Sequence, residues 1–262
     1  FHFCCEGCAR RFEANPAQYL TADGLPAPRV ATPARVAPSD AALGMPGGFV
    51  CPMHPEVIAD AAATGVPLHI VHVNSMSLGA LPVILELIDS ARNQGLDITT
   101  EAYPYTAAST FIESTMFDDG WQERLGISYG DLQWQTTGER LTAETFAKYR
   151  QQGGAVIMHM MRPEWIRRAM AAPFVMIASD GMPFSARAHP RSAGTFARVL
   201  GLYVREEKAL SLMDAIGKMT ILPARRLEPI APAMRNKGRL KIGADADITV
   251  FNPATVKDMA SF

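Results

Sequence analysis

Beyond position 51 the chain contains no cysteine, and nowhere does it contain a His-x-His pair. It also lacks any run of about 18 apolar residues, which excludes an α-helical membrane span on sequence grounds. Charge of one sign is not in excess: 25 basic and 26 acidic side chains leave a formal net charge of −1. That balance gives no broad electrostatic footprint for nucleic acid or an anionic membrane surface. Methionine is missing from position 1, where Phe1 stands. The opening segment carries cysteine and charge where a signal peptide would be apolar, which predicts a sequence that begins inside a longer reading frame. All four cysteines (Cys4, Cys5, Cys8 and Cys51) fall early. A disulfide framework spreads its cysteines over the fold it staples, so this clustering favours soft-metal or thiol chemistry in a reducing compartment such as the cytoplasm.

What is present divides into unlike pieces. Hydrophobic residues make up 48% of the 262 positions, enough to bury a sizeable core. Residues 1–20 read as a short strand and a short helix, a small cysteine-containing α+β module. Residues 21–48 are rich in Pro, Ala and Gly without apolar periodicity, as in an extended linker. Residues 49–57 spell FVCPMHPEV. From residue 58 strand-like runs alternate with amphipathic stretches. Strands are expected at 67–75, 97–105, 155–161 and 174–181. Helices are expected at 78–96, 141–154, 162–172 and 211–227, the last interrupted at Pro223. That alternation predicts parallel βαβ units over 58–227. The stretch 106–140 breaks the period and reads as an insertion over one face. Residues 228–262 alternate like small antiparallel strands. Four strands are half of what a closed parallel barrel needs.

In such a barrel the functional residues stand at the C-terminal ends of the strands. His72, Tyr103, Tyr105, His159 and Asp180 occupy those positions. Each has a plainer explanation. A strand histidine is often a hydrogen-bonded core residue, and an aspartate before glycine often forms a turn. Shared placement at equivalent strand ends weighs toward one common mouth. Histidine with carboxylate can hold a divalent ion that activates water. An aspartate touching that water can take its proton and pass it to a leaving amine. Arg191 could grip a substrate carboxylate through two parallel hydrogen bonds, or form an ordinary surface ion pair.

VPLHIVHVNS, EAYPYTAAST, FVMIASDGMPF, AHPRSAGTFARVLGLYVREE, LSLMDAIGKMTILPARRL and NKGRLKIGADADITVFNPATV occur in that order across residues 59–262. Together they resemble the amidohydrolase superfamily, in the branch of the N-acyl-D-amino-acid deacylases. The resemblance implies an α/β fold: the C-terminal half of a metal-dependent TIM-type (β/α)8 barrel plus a remnant of a small β-sandwich. It implies Asp180 as catalytic acid/base and metal-site residue, and His72 as a zinc ligand. It places Ser179, beside Asp180 at the last strand end, together with His189 and Arg191 by the substrate. Tyr103 and His159 join them as candidate substrate-binding residues. The implied substrate is a small N-acyl amino acid whose amide is hydrolysed. The first-strand His-x-His pair, an earlier cysteine ligand and a sixth-strand histidine are absent, so impaired activity is expected.

FHFCCEGCARRFEANPAQYL resembles a YHS domain, and FVCPMHPEV resembles the heavy-metal-binding motif of copper-transporting P-type ATPases. This resemblance implies that Cys4, Cys5, Cys8, Cys51, Met53 and His54 bind copper or another soft metal. Both resemblances stop between Val57 and Ala61, so a chimera of two gene fragments is expected. The alternative to a hydrolase is then a copper-binding module joined to an inactive hydrolase fragment.

Overall fold

The computed structural model describes residues 62–182 and 187–262. The six N-terminal candidates Cys4, Cys5, Cys8, Cys51, Met53 and His54 lie outside the described residues, as do the module at 1–20, the linker at 21–48 and the motif at 49–57.

Strands β1 (Leu68–Ile70), β2 (Ile98–Ala102) and β6 (Val175–Ile177) form a parallel sheet in the order β1-β2-β6. β2 shows why it sits in the middle. Ile98, Thr100 and Ala102 are buried, whereas Thr99 and Glu101 on the alternate positions are half-buried. One face therefore meets helices and the other carries polar groups. The helices are α1 (Val73–Ser77), α2 (Leu81–Asn93) and α5 (Pro163–Ala171), which pack on one another and on the sheet. α2 buries Leu81, Ile84, Leu85, Leu87, Ile88 and Ala91, the spacing of an amphipathic helix. Pro163 occupies the first turn of α5, where its missing N–H costs nothing.

The parallel strand expected at 155–161 is a correction. β5 (Ala155–His159) belongs to a separate antiparallel sheet, flanked by β3 (Ala107–Phe111) and β4 (Leu132–Trp134). Both partners come from the stretch read as an insertion. Helix α4 (Ala143–Gln152) packs on this sheet through Tyr149, and the short helix α3 (Trp121–Leu125) packs on α4 through Trp121. Trp134 stacks on Tyr149 with centroids 4.1 Å apart, and Trp121 stacks on Phe146 at 5.4 Å. A run of apolar residues such as AVIMH suits either kind of sheet, so period alone did not separate them.

Two further expectations change. The helical stretch 211–227 breaks at Thr220 (φ −131°, ψ −79°), giving α7 (Leu212–Met219) and α8 (Ile221–Leu227), with Pro223 inside the first turn of α8. A helix not foreseen, α6 (Arg191–Arg198), runs on into a wider π-helical stretch, Val199–Glu206. Among the described residues no strand follows Ile177, so the small strands expected in 228–262 are not formed. Leu240, Ile242, Ile248 and Val250 keep their alternation but stand exposed. No helix of the described residues is long and apolar enough to cross a membrane.

Candidate functional site

The parallel strands deliver their polar groups just past their last hydrogen-bonded residues. His72 follows β1 by two positions and Asp180 follows β6 by three. Both have left-handed backbones, His72 at φ 33° and Asp180 at φ 48°. For residues other than glycine this conformation costs on the order of 1 kcal/mol or more, and it persists where surroundings over-determine it. Those surroundings are visible at His72. Its backbone N–H donates to Glu101 Oε1 at 2.7 Å, and its carbonyl accepts from the Ser75 N–H at 3.0 Å. The buried Asn74 side chain donates to the Tyr103 carbonyl at 3.1 Å and accepts from the Tyr103 N–H at 3.4 Å, tying the ends of β1 and β2 together.

Glu101 was not singled out in the sequence, although it lies two residues before Tyr103. Its second oxygen meets His69 Nε2 at 2.5 Å, while His69 Nδ1 pairs with Thr99 Oγ1 at 2.8 Å. Burial pushes the Glu101 carboxyl up, but the bonds from His69 and from the His72 amide outweigh it and hold it below the ordinary range. The signal available was the period-2 pattern of β2, which puts Thr99 and Glu101 on the same face.

Asp180 Oδ2 pairs with Arg191 Nη1 at 2.9 Å. Burial raises the Asp180 carboxyl above its ordinary value, opposed by the Arg191 cation and His72 and reinforced by the negative charge of Glu101. Arg191, 2% exposed, lays its guanidinium over the Tyr103 ring at 4.6 Å. Arg191 Nε and the Tyr103 hydroxyl are buried without a hydrogen-bond partner. Burial lifts the Tyr103 phenol to about 12, so it remains a donor at neutral pH. Ser179 is half-buried beside Gly181, where an added Cβ would sit 3.4 Å from the Ser179 hydroxyl oxygen.

The candidate histidines His189 and His159 both bond within the protein. His189 donates from Nε2 to the Ala107 carbonyl at 3.0 Å and accepts the Arg191 N–H on Nδ1 at 3.0 Å. Both ring nitrogens are used within the protein, so His189 anchors the start of α6 to β3. Burial, with the Arg191 cation beside it, pushes its pKa down to about 3. His159 reaches the same neighbourhood from the antiparallel sheet, not from a barrel strand. It hydrogen-bonds Gln133 Oε1 at 2.8 Å, and burial lowers its pKa to about 4. Tyr105 donates to Asp258 Oδ2 at 2.6 Å, and burial with that carboxylate raises the phenol well above its usual range.

Zinc can be tested against this donor set. His72 and Asp180 stand at strand ends, but Asp180 already spends an oxygen on Arg191. Among the described residues no group of three or more His, Cys, Asp or Glu side chains is placed to hold a metal ion. A protein zinc site takes at least three such ligands, so the described residues do not fit one. A cavity of about 340 Å³ lies elsewhere, by Asp97 and Phe174 at the opposite ends of the strands, away from these groups.

Comparison with known proteins matches residues 44–261 to the amidohydrolase family. The match begins ahead of the joint expected at 57–61, and takes in the segment read as a heavy-metal motif. An N-acyl-D-glutamate deacylase of Alcaligenes xylosoxydans xylosoxydans is 34% identical over 222 residues, covering 79% of this chain and 43% of that protein. A D-aminoacylase of the same organism is 34% identical over 215 residues, covering 75% and 41%. Among solved structures, the N-acyl-D-glutamate deacylase of Bordetella bronchiseptica was crystallised with zinc and a phosphonate mimic of the tetrahedral intermediate. It superposes with a TM-score of 0.64 at 32% identity, over 80% of this chain and 45% of that one. A D-aminoacylase studied for its binuclear metal centre gives 0.62 at 31% identity, over 79% and 44%. The chain thus spans less than half the length of the relatives it matches.

Proposed function

The chain belongs to the amidohydrolase family, and from that premise we propose that it carries the carboxylate-gripping and proton-transferring side of a site that deacylates N-acyl-D-amino acids. One observation carries the reading: two buried donors without partners, Arg191 Nε and the Tyr103 hydroxyl, beside the Asp180 carboxylate. Buried donors left unpaired cost about 1–3 kcal/mol each, and a carboxylate with two acceptor oxygens would satisfy both. The ring of Tyr103 under the guanidinium fixes the plane in which such a carboxylate would lie. Asp180 is then within reach of the neighbouring amide. Its part is to take a proton from attacking water and return it to the leaving nitrogen. The relatives' names supply the substrate class, and the zinc of the Bordetella enzyme supplies the metal expected of a complete site. The described donors fall short of a zinc site by themselves.

The reading is tested by calorimetry on the full chain. N-Acetyl-D-leucine should bind, its carboxamide should not, and Arg191→Lys should weaken binding of the acid at least tenfold, since a lysine cannot reproduce the guanidinium fork. Equal binding of acid and amide overturns the proposal. Release of D-leucine should be undetectable with added zinc; robust zinc-dependent turnover would show that the donor set is complete.

A further inference from the structure

The opposite ends of the parallel strands carry a second concentration of charge. The cavity of about 340 Å³ there is lined by three guanidinium groups, those of Arg92, Arg225 and Arg226, against one carboxylate, Asp97. Each arginine taken alone has a plain reason for its place. Arg92 stands in the last turn of α2, and Arg225 and Arg226 in the last turn of α8, where a cation favours the negative end of the helix dipole. The dipole does not explain why two helices far apart in the sequence turn these groups onto one hollow. In a chain whose formal net charge is −1, this is a local excess of positive charge. Glu228, the next carboxylate along the chain, does not relieve it, because it pairs with Arg239 at 2.5 Å.

The three cations are held differently. Arg92 Nη1 donates to the Ile98 carbonyl at 2.5 Å, and its guanidinium lies 5.6 Å from the centre of the Phe174 ring. Arg226 Nη1 pairs with Asp97 Oδ1 at 2.7 Å. A guanidinium carries about five N–H donors, so each of these two has donors left after its one bond. Arg225 makes no hydrogen bond or ion pair with any described residue. Two forks already fixed in place and a third left free form a cradle for an anion, with little order left to impose. The rest of the wall decides which anion. Apart from Thr99 it is apolar, made by Phe174, Met176, Leu222, Pro173 and Pro229. A hydrated inorganic anion would leave that wall bare. A carboxylate joined to a flat apolar body covers it while its charge reaches the arginines. The cavity is of the size that small-molecule sites have.

We propose that this cavity binds a small aromatic carboxylate, gripped by Arg225 together with Arg92 and Arg226 and seated against Phe174. The site stands apart from the deacylase reading, which is tested through Arg191. Calorimetry and methionine-methyl NMR on the full chain test it, with phenylacetate as the probe. Phenylacetate should bind, and both phenylacetamide and inorganic phosphate should bind at least about tenfold more weakly. The Met176 methyl signal should move on binding. That of Met161, whose sulfur accepts a hydrogen bond from Asn74 beside the strand-end site, should stay. Arg225→Gln should weaken phenylacetate about tenfold. Because Arg225 bonds to no described residue, this variant should keep the methyl spectrum of the unaltered chain when no probe is present. Undetectable binding of phenylacetate overturns the site, as does a signal that moves at Met161 and not at Met176. Arg225→Gln binding as tightly as the unaltered chain overturns the grip. Phosphate or phenylacetamide binding as tightly as phenylacetate overturns the assignment to an aromatic carboxylate.

Discussion

The two sheets differ in how they treat their polar groups and their backbone. The antiparallel sheet β3-β5-β4 is backed by stacked aromatic pairs, and its strand-end histidine is satisfied by Gln133. The parallel sheet ends in two left-handed non-glycine residues, and two buried donors without partners lie alongside. One region is optimised for packing. The other holds strain and unmet hydrogen bonds, which concentrate where a ligand is expected to complete the structure.

The largest break of this contrast should come from the packed side. Trp134→Ala removes a buried indole stacked on Tyr149 and should destabilise the chain by about 4 kcal/mol, the usual cost of deleting a large buried aromatic. Urea denaturation reads this directly, and a loss below about 1 kcal/mol would mean that the stack is not part of the core. Acid gives a smaller effect that reaches both regions. His159 and His189 titrate in the folded chain near 4 and 3. Unfolded, each would titrate near about 6.5. Between those values the unfolded chain binds more protons, so stability is complete above about pH 6.5 and falls as the pH drops toward 4. The loss from pH 7 to pH 4.5 should be roughly 2 kcal/mol for each histidine, less for either one than the loss of the indole, and His159→Gln should remove about half of the total. A flat profile over that window would show that both rings take up protons without penalty. The smallest effect should have the opposite sign. His72→Gly relieves a backbone at φ 33° and should leave stability unchanged or raise it by about 0.5 kcal/mol. A clear destabilisation in the same urea assay would show that the imidazole contributes more to the fold than its backbone costs.

Legibility in the sequence followed local physics. β2 and the helices α2, α4 and α5 were readable because amphipathic spacing, a glycine stop and a first-turn proline all act within a few residues. The placement of His72, Tyr103 and Asp180 at strand ends was readable for the same reason. The partner of β5 was not, since an apolar run of five residues does not say whether its neighbours lie parallel or antiparallel. Glu101 was missed because its significance lies in a contact 29 residues away, with the His72 amide. The anchoring of α6 to β3 by His189 was not legible, because its sequence position beside Arg191 gives no hint that both ring nitrogens are committed. The hydrogen bond of Tyr105 to Asp258 spans 153 positions, and nothing local in the sequence announces it.

Leu240, Ile242, Ile248 and Val250 add a consequence for handling the molecule. They alternate as one face of a strand would, yet they stand exposed along backbone that no strand pairs. Such a segment is a template for any extended chain that meets it, and an encounter between two copies is the readiest source of one. Its behaviour is therefore governed by mass action: doubling the protein concentration quadruples the encounter rate, and dilution keeps copies apart where added salt would not.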